Sequence, residues 1–66
     1  MKLSIGHNLR TLRFQKNLTQ SKVAQAIGIS ENTLSRYENE ERTPNEELLY
    51  KFAEFFEVPV TKIITE

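Results

Sequence analysis

The stretch TQSKVAQAIGISENTLSRY, residues 19–37, decides how this chain folds. Thr19 and Ser30 each precede a run of apolar residues at helical spacing, and Ser and Thr cap helices by accepting a backbone N–H. Gly28 lies between the two runs, where the first helix must stop and the backbone must turn through positive φ, which glycine does at little cost. The stretch therefore predicts two short helices joined by a tight turn.

The apolar residues of this stretch indicate that its two helices pack together. Val23, Ala24 and Ile27 recur at helical spacing in the first helix, and Leu34 and Tyr37 form an i, i+3 pair in the second. A side chain larger than that of Ala24 would hold the helices apart, so the pattern predicts a helix-turn-helix. Such a unit cannot bury its own apolar face, so it needs supporting helices. The polar outer face of the second helix is where function is expected.

A supporting helix is predicted before this motif, over residues 3–17, with Ser4 at its N-cap. Its basic residues Arg10, Arg13 and Lys16 recur at i, i+3 and i+6, which is typical of an amphipathic helix with a basic stripe. The two motif helices are expected over about residues 20–27 and 31–39.

Two more helices are predicted after the motif. One begins near residue 44, either with Thr43 capping and Pro44 at the first helical position, or with Asn45 as the cap. Pro59 ends that helix, since it restrains the residue before it. Residues 60–64 then form a short last turn or helix. The expected fold class is all-α, a compact five-helix bundle forming a single domain over residues 1–66.

Composition limits the classes of protein to consider. The chain has 66 residues and no cysteine, which excludes disulfides and thiolate metal sites. No apolar run approaches the ~20 residues of a membrane helix. The net charge is zero, but residues 1–30 hold five basic residues and no acid, whereas residues 31–66 hold four basic residues and nine glutamates. Folding could turn this asymmetry into a basic face, or the glutamates could simply solvate outer faces.

Nothing in the sequence predicts an enzyme, a metal site or a cofactor. His7 is the only histidine and has no Cys, Asp or second His at metal-ligand spacing. Ser4, His7 and a glutamate could be drawn as a triad, but the chain has no nucleophile elbow, no oxyanion device and little room for a pocket.

The second motif helix carries the strongest functional signal. If Leu34 and Tyr37 face the core, then Glu31, Asn32 and Arg36 lie outward, near the helix N-terminus. Such a helix fits the DNA major groove, where Asn can pair with adenine, Arg with guanine, and Glu can accept from cytosine. The alternative for Glu31 is a carboxylate that stabilises the positive end of the helix dipole. For Asn32 and Arg36 the alternative is an ordinary solvated surface.

From residue 5 to residue 64 the chain resembles the phage lambda repressor and Cro-like helix-turn-helix family. The resemblance is carried jointly by the helix spacing, the turn glycine, the small residue of the first motif helix, and the Tyr-Glu-Asn of residues 37–39. It implies a five-helix bundle that binds double-stranded operator DNA as a homodimer. It also implies a bacterial or phage-encoded repressor that acts on the nucleoid in the cytoplasm, with no small-molecule effector evident.

The resemblance also implies roles for individual residues. Base reading maps to Glu31, Asn32 and Arg36, with Thr33 at the margin. DNA phosphate contacts are expected from the following residues: Thr19, Gln20, Ser30, Ser35, Asn39, Arg42, Thr43 and Arg10. The family pattern pairs Arg13 with Glu38, which makes Arg13 a structural residue. Glu40 and Glu41 stand where many relatives carry Gly or Lys, which weakens the expected phosphate contact of this loop.

The C-terminal segment, residues 55–64, is expected to form a dimer face. This segment carries more apolar surface than one small core is expected to bury, and exposed apolar patches commonly mark interfaces. The residues assigned to the dimer face are Phe56, Val58, Val60, Ile63 and Ile64. The alternative is that all of them pack on the first and fourth helices. A rival function is a protein-interaction module, such as an antirepressor or an antitoxin-like adaptor, which the zero net charge and the acidic loop favour.

Overall fold

The structure, a computed structural model, describes residues 4–65, which form five α-helices and, over that range, no strand. The helices are α1 (Ile5–Gln15), α2 (Gln20–Ile27), α3 (Glu31–Glu38), α4 (Glu46–Phe56) and α5 (Thr61–Ile64). The predicted all-α bundle with a helix-turn-helix near its middle is confirmed. Helix α1 is shorter than the predicted 3–17, and Leu3 lies outside the described residues.

The ends of the motif helices follow their local sequence. The Thr19 hydroxyl accepts a hydrogen bond from the Lys22 amide at 3.1 Å, and the Ser30 hydroxyl accepts one from the Thr33 amide at 3.0 Å. Gly28 ends α2 with a φ of 91°, and its amide donates to the Ala24 carbonyl at 2.9 Å. Both predicted caps and the predicted turn glycine are confirmed.

The caps of α1 and α4 differ from the first choices of the sequence analysis. Ser4 occupies the N-cap position of α1, but its φ and ψ of −112° and 49° are not the extended geometry of a capping serine, and its side chain makes no cap hydrogen bond. Helix α4 adopts the alternative register, in which the Asn45 side chain accepts from the Leu48 amide at 2.9 Å. This register puts Glu46 and Glu47 in the first turn, where negative charge is favourable.

The core lies where all five helices meet. Phe52, with no exposed surface, is at its centre and packs edge-on against Tyr37 with 6.4 Å between ring centroids. The other buried apolar side chains are Leu9, Leu12, Val23, Ala24, Ile27, Leu34, Ala53, Phe56 and Ile63. Helix α3 packs against α1 and α2, and α5 packs against α1 and α4, so the motif is supported from behind as predicted.

Two members of the predicted dimer face are core residues. Phe56 is 1% exposed and stacks on Phe52, and Ile63 has no exposed surface. The prediction was wrong for these two because both fill the space between α1, α4 and α5, and a fully buried side chain has no surface to offer a partner. Val58, Val60 and Ile64 are half-buried and keep part of their apolar surface outside.

Of the helices within residues 4–65, none combines the length and the apolar character that crossing a bilayer requires.

Candidate nucleic-acid interface

Helix α3 presents one polar face to the outside of the bundle. Glu31, Asn32 and Arg36 are exposed, whereas Leu34 and Tyr37 on the opposite side are buried. Asn32 and Arg36 are four residues apart, so their side chains lie one above the other on the helix surface. The structure therefore brings three of the four predicted base-reading residues to a common exposed surface.

Thr33, the fourth predicted base-reading residue, is engaged at the start of the helix. It is half-buried, and the Ser30 hydroxyl donates to its hydroxyl at 2.7 Å while also capping its amide at 3.0 Å. Through these two contacts Ser30 and Thr33 together stabilise the start of α3 directly after the turn.

A buried ion pair lies behind α3. The Arg13 guanidinium makes two hydrogen bonds to Glu38, from Nε to Oε2 at 2.7 Å and from Nη2 to Oε1 at 3.0 Å. Their side chains are 10% and 1% exposed, and Arg13 Nη1 also donates to the Leu18 carbonyl at 3.0 Å. The planar fork of an arginine suits this bidentate geometry. The pair ties α1 to the end of α3, so Arg13 is a structural residue in this fold.

Three predicted phosphate contacts converge on this ion pair. Gln20 Nε2 donates to Glu38 Oε1 at 3.1 Å, and Arg10 Nε lies 3.7 Å from the same oxygen. Arg10 Nη2 in turn donates to Asn39 Oδ1 at 2.7 Å. We call these five residues, Arg10, Arg13, Gln20, Glu38 and Asn39, the Glu38 cluster. It joins α1, the first residue of α2 and the C-terminal end of α3 in one polar network.

The charge of the Glu38 cluster is unbalanced. Two guanidinium groups, of Arg10 and Arg13, surround one carboxylate, that of Glu38, which leaves a net positive charge. The Arg10 side chain is 42% exposed, so this charge reaches the surface. A positive, donor-rich patch at the rim of α3 has the chemistry of a phosphate-binding surface.

The remaining predicted phosphate contacts lie at three places. Thr19 and Ser30 are exposed N-cap residues whose hydroxyls hold the starts of α2 and α3. Ser35 is half-buried, and its hydroxyl lies 3.5 Å from Asn39 Nδ2, within reach of the Glu38 cluster. Arg42 and Thr43 are exposed in the loop after α3. This loop also exposes Glu40 and Glu41, so its charge is mixed.

The role of Gly6 was not predicted from the sequence. A Cβ built there would lie 2.8 Å from the Glu38 carbonyl oxygen and closer still to the Tyr37 carbonyl. Gly6 therefore lets α1 approach the end of α3, and Arg10 follows it one helical turn later. A signal existed, since a glycine inside a predicted helix costs about 1 kcal/mol relative to Ala and usually has a packing reason.

Within residues 4–65, no three His, Cys, Asp or Glu side chains are grouped so that they could hold a metal ion.

Comparisons with known proteins agree with this geometry. The helix-turn-helix family model matches residues 9–63. The chain is 34% identical over 58 residues to the cryptic phage CTXphi transcriptional repressor RstR of Vibrio cholerae, covering 88% of this chain and 52% of that protein. It is 40% identical over 62 residues to antitoxin PezA of Streptococcus pneumoniae, covering 94% of this chain and 39% of that protein. The chain thus spans about half, or less, of these relatives.

The fold also matches a solved repressor structure. The P22 c2 repressor superimposes with a TM-score of 0.86, over 97% of this chain and 96% of that chain, at 22% sequence identity. The family match over residues 9–63 includes the motif, and the arrangement of helices agrees with it. The chain belongs to the lambda repressor and Cro-like (XRE-type) helix-turn-helix family.

Proposed function

We propose that this protein is a sequence-specific, double-stranded DNA-binding transcriptional regulator, a repressor that acts as a homodimer on a palindromic operator. The observation that carries the proposal is the exposed polar face of α3, held by a serine cap at one end and by a buried ion pair at the other. A helix fixed at both ends can enter the major groove without first becoming ordered, which lowers the entropic cost of binding.

Base reading is assigned to the exposed residues of α3. Arg36 carries a planar fork that can donate two hydrogen bonds to guanine, and Asn32 can pair bidentately with adenine. Glu31 can accept from the amino group of cytosine. Thr33 is assigned a minor role, because its hydroxyl is already bonded to Ser30.

Phosphate contacts are assigned to the residues around α3. Gln20 and Asn39 lie at the start of α2 and the end of α3, so together they can bracket the groove that α3 enters. Such contacts set the register of the protein on DNA without reading sequence. Thr19, Ser30 and Ser35 add hydroxyl donors, and Arg42 and Thr43 add a loop contact that Glu40 and Glu41 weaken.

Dimerisation is assigned to the half-buried apolar residues of the C-terminal segment, Val58, Val60 and Ile64. A two-fold dimer would place two copies of α3 about 34 Å apart, one turn of DNA.

The P22 c2 repressor was solved in complex with a synthetic operator, which supports DNA binding as a property of this fold in that protein. Sedimentation equilibrium at micromolar concentration tests the dimer, and a strict monomer both free and on DNA would contradict it.

Selection of binding sites from a random pool of DNA duplexes tests the proposed function most directly. We expect an enriched sequence with two inverted half-sites about one helical turn apart. Affinity for that sequence should fall steeply as salt rises, because phosphate contacts release counterions. No enrichment, together with no binding at low salt, would overturn the proposal.

A second candidate function is an antitoxin-like adaptor that contacts a protein partner. It is favoured by the 40% identity to PezA and by the acidic loop at Glu40 and Glu41. The two functions separate in the same experiment, since an adaptor that has lost DNA binding would enrich no sequence.

A further inference from the structure

We infer that Arg10 acts on DNA through Asn39, as a positioning residue that orients the amide of Asn39 toward a phosphate. The inference rests on the proposed function, because it concerns one contact of that DNA-binding surface. It arises from the hydrogen bond between Arg10 Nη2 and Asn39 Oδ1 at 2.7 Å, which joins residues 29 positions apart.

The orientation of the Asn39 amide decides what that side chain can bind. An asparagine amide has one accepting oxygen and one donating NH2 group, and a phosphate can only accept. If the amide were free to flip, it would present the wrong group to DNA part of the time. Arg10 can only donate, so its bond to Oδ1 fixes which end of the amide faces α1 and leaves the Nδ2 group to donate elsewhere.

A weaker contact supports the same orientation. Asn39 Nδ2 lies 3.5 Å from the Ser35 hydroxyl, one turn back on α3. This long contact leaves the NH2 group able to donate elsewhere, whereas the short bond on the oxygen side is already made. Asn39 is exposed, so an approaching phosphate can reach it.

Arg10 is itself held in place by the buried ion pair. Its Nε lies 3.7 Å from Glu38 Oε1, whose carboxylate is 1% exposed and bound by Arg13. The buried Arg13–Glu38 pair therefore holds Arg10 in place, and Arg10 in turn orients Asn39. Arg10 uses its guanidinium on two protein oxygens, which is why we assign it a positioning role and not a phosphate contact of its own.

A double-mutant cycle on DNA affinity tests this role. We expect Asn39→Ala and Arg10→Met each to weaken binding to the selected operator by roughly fivefold, about the loss of one hydrogen bond. The double variant should also lose only about fivefold, because both changes remove the same contact. If the two residues made independent contacts, their losses of affinity would multiply to about 25-fold, and that result would overturn the inference.

Two controls separate positioning from charge and from loss of structure. Lys51→Met removes one exposed positive charge on α4, outside the proposed DNA-binding residues and the C-terminal segment, and is expected to change affinity less than about twofold, since salt screens exposed charges that lie away from the contact surface. Thermal unfolding checks that every variant is folded at the temperature of the binding measurement. If Lys51→Met lost as much affinity as Arg10→Met, bulk charge would explain the loss and the inference would fail.

NMR relaxation of the Asn39 side-chain amide in the free protein gives a readout that needs no DNA. We expect the amide to be ordered in the wild type and mobile in Arg10→Met, with backbone amides of α3 unchanged. An equally ordered amide in both proteins would overturn the inference. A wild-type chain that bound no DNA would overturn the proposed function and this role with it, whereas DNA binding without coupling would overturn this role alone.

Discussion

The two faces of α3 show opposite ways of using polar side chains. On the outer face Asn32 and Arg36 are exposed to solvent, whereas the Glu38 side chain faces the interior, is 1% exposed and accepts hydrogen bonds from Arg13 and Gln20. The exposed group is available to read a sequence, and the buried group fixes where the helix lies. The comparison teaches that one eight-residue helix can carry the proposed base-reading side chains on one face and its structural ion pair on the other.

The largest effect is expected from breaking the buried pair. Arg13→Met should destabilise the fold by about 3–5 kcal/mol, because it leaves the buried Glu38 carboxylate without its main partner. Urea unfolding followed by circular dichroism measures the change. The matched control is Arg36→Met on the exposed face of the same helix, expected within about 0.5 kcal/mol of wild type. Equal losses of stability in both variants would contradict the division of α3 into an exposed face and a structural face.

The exposed face of α3 is tested by its effect on the DNA sequence preference. Arg36→Ala should weaken binding to the selected operator by about 1–3 kcal/mol and relax selectivity at one base pair. Gln20→Ala, which removes a predicted phosphate contact, should weaken binding to all sequences alike. Competition binding on operator and scrambled duplexes measures both. If Arg36→Ala lost the same affinity for the two duplexes, Arg36 would not be a base-reading residue.

The smallest expected effect concerns the contact that brings α1 to the end of α3. Gly6→Ala should destabilise the protein by about 1–2 kcal/mol, because the overpacking of a Cβ against two backbone carbonyls exceeds the gain in helix propensity. Gln25→Ala on the exposed side of α2 is the control and should be neutral or slightly stabilising. Thermal unfolding compares the two. A Gly6→Ala variant more stable than wild type would show that α1 can move away without cost.

Local features were predictable from the sequence. The caps at Thr19 and Ser30 and the turn at Gly28 depend on side chains within three residues of the helix ends, so their chemistry is visible without the fold. The sequence does not distinguish Thr43 from Asn45 as the cap of α4, because both side chains can accept the same kind of hydrogen bond. The structure uses Asn45, whose side chain accepts from the Leu48 amide.

Features that depend on distant residues were harder to predict. The spacing of apolar residues does not show which of them a small core buries. Phe56 and Ile63 were therefore wrongly predicted to lie on a dimer face. Arg10, Gln20 and Asn39 were each predicted as separate phosphate contacts. In the structure they belong to the Glu38 cluster, which joins three helices. The residue pattern of a single helix cannot predict contacts between helices. The base-reading and dimer assignments stay predictions.

Asn8 gives the chain a property that concerns its topology. Its side-chain amide donates to the Ile63 carbonyl at 2.7 Å and to the Thr65 carbonyl, so the first helix holds the last described residues. Positions more than fifty residues apart along the backbone are therefore direct neighbours in space. A covalent cross-link between α1 and α5 would therefore close a loop of more than fifty residues. Such a loop leaves the unfolded chain fewer conformations, and the native bundle would gain thermal resistance from that restriction.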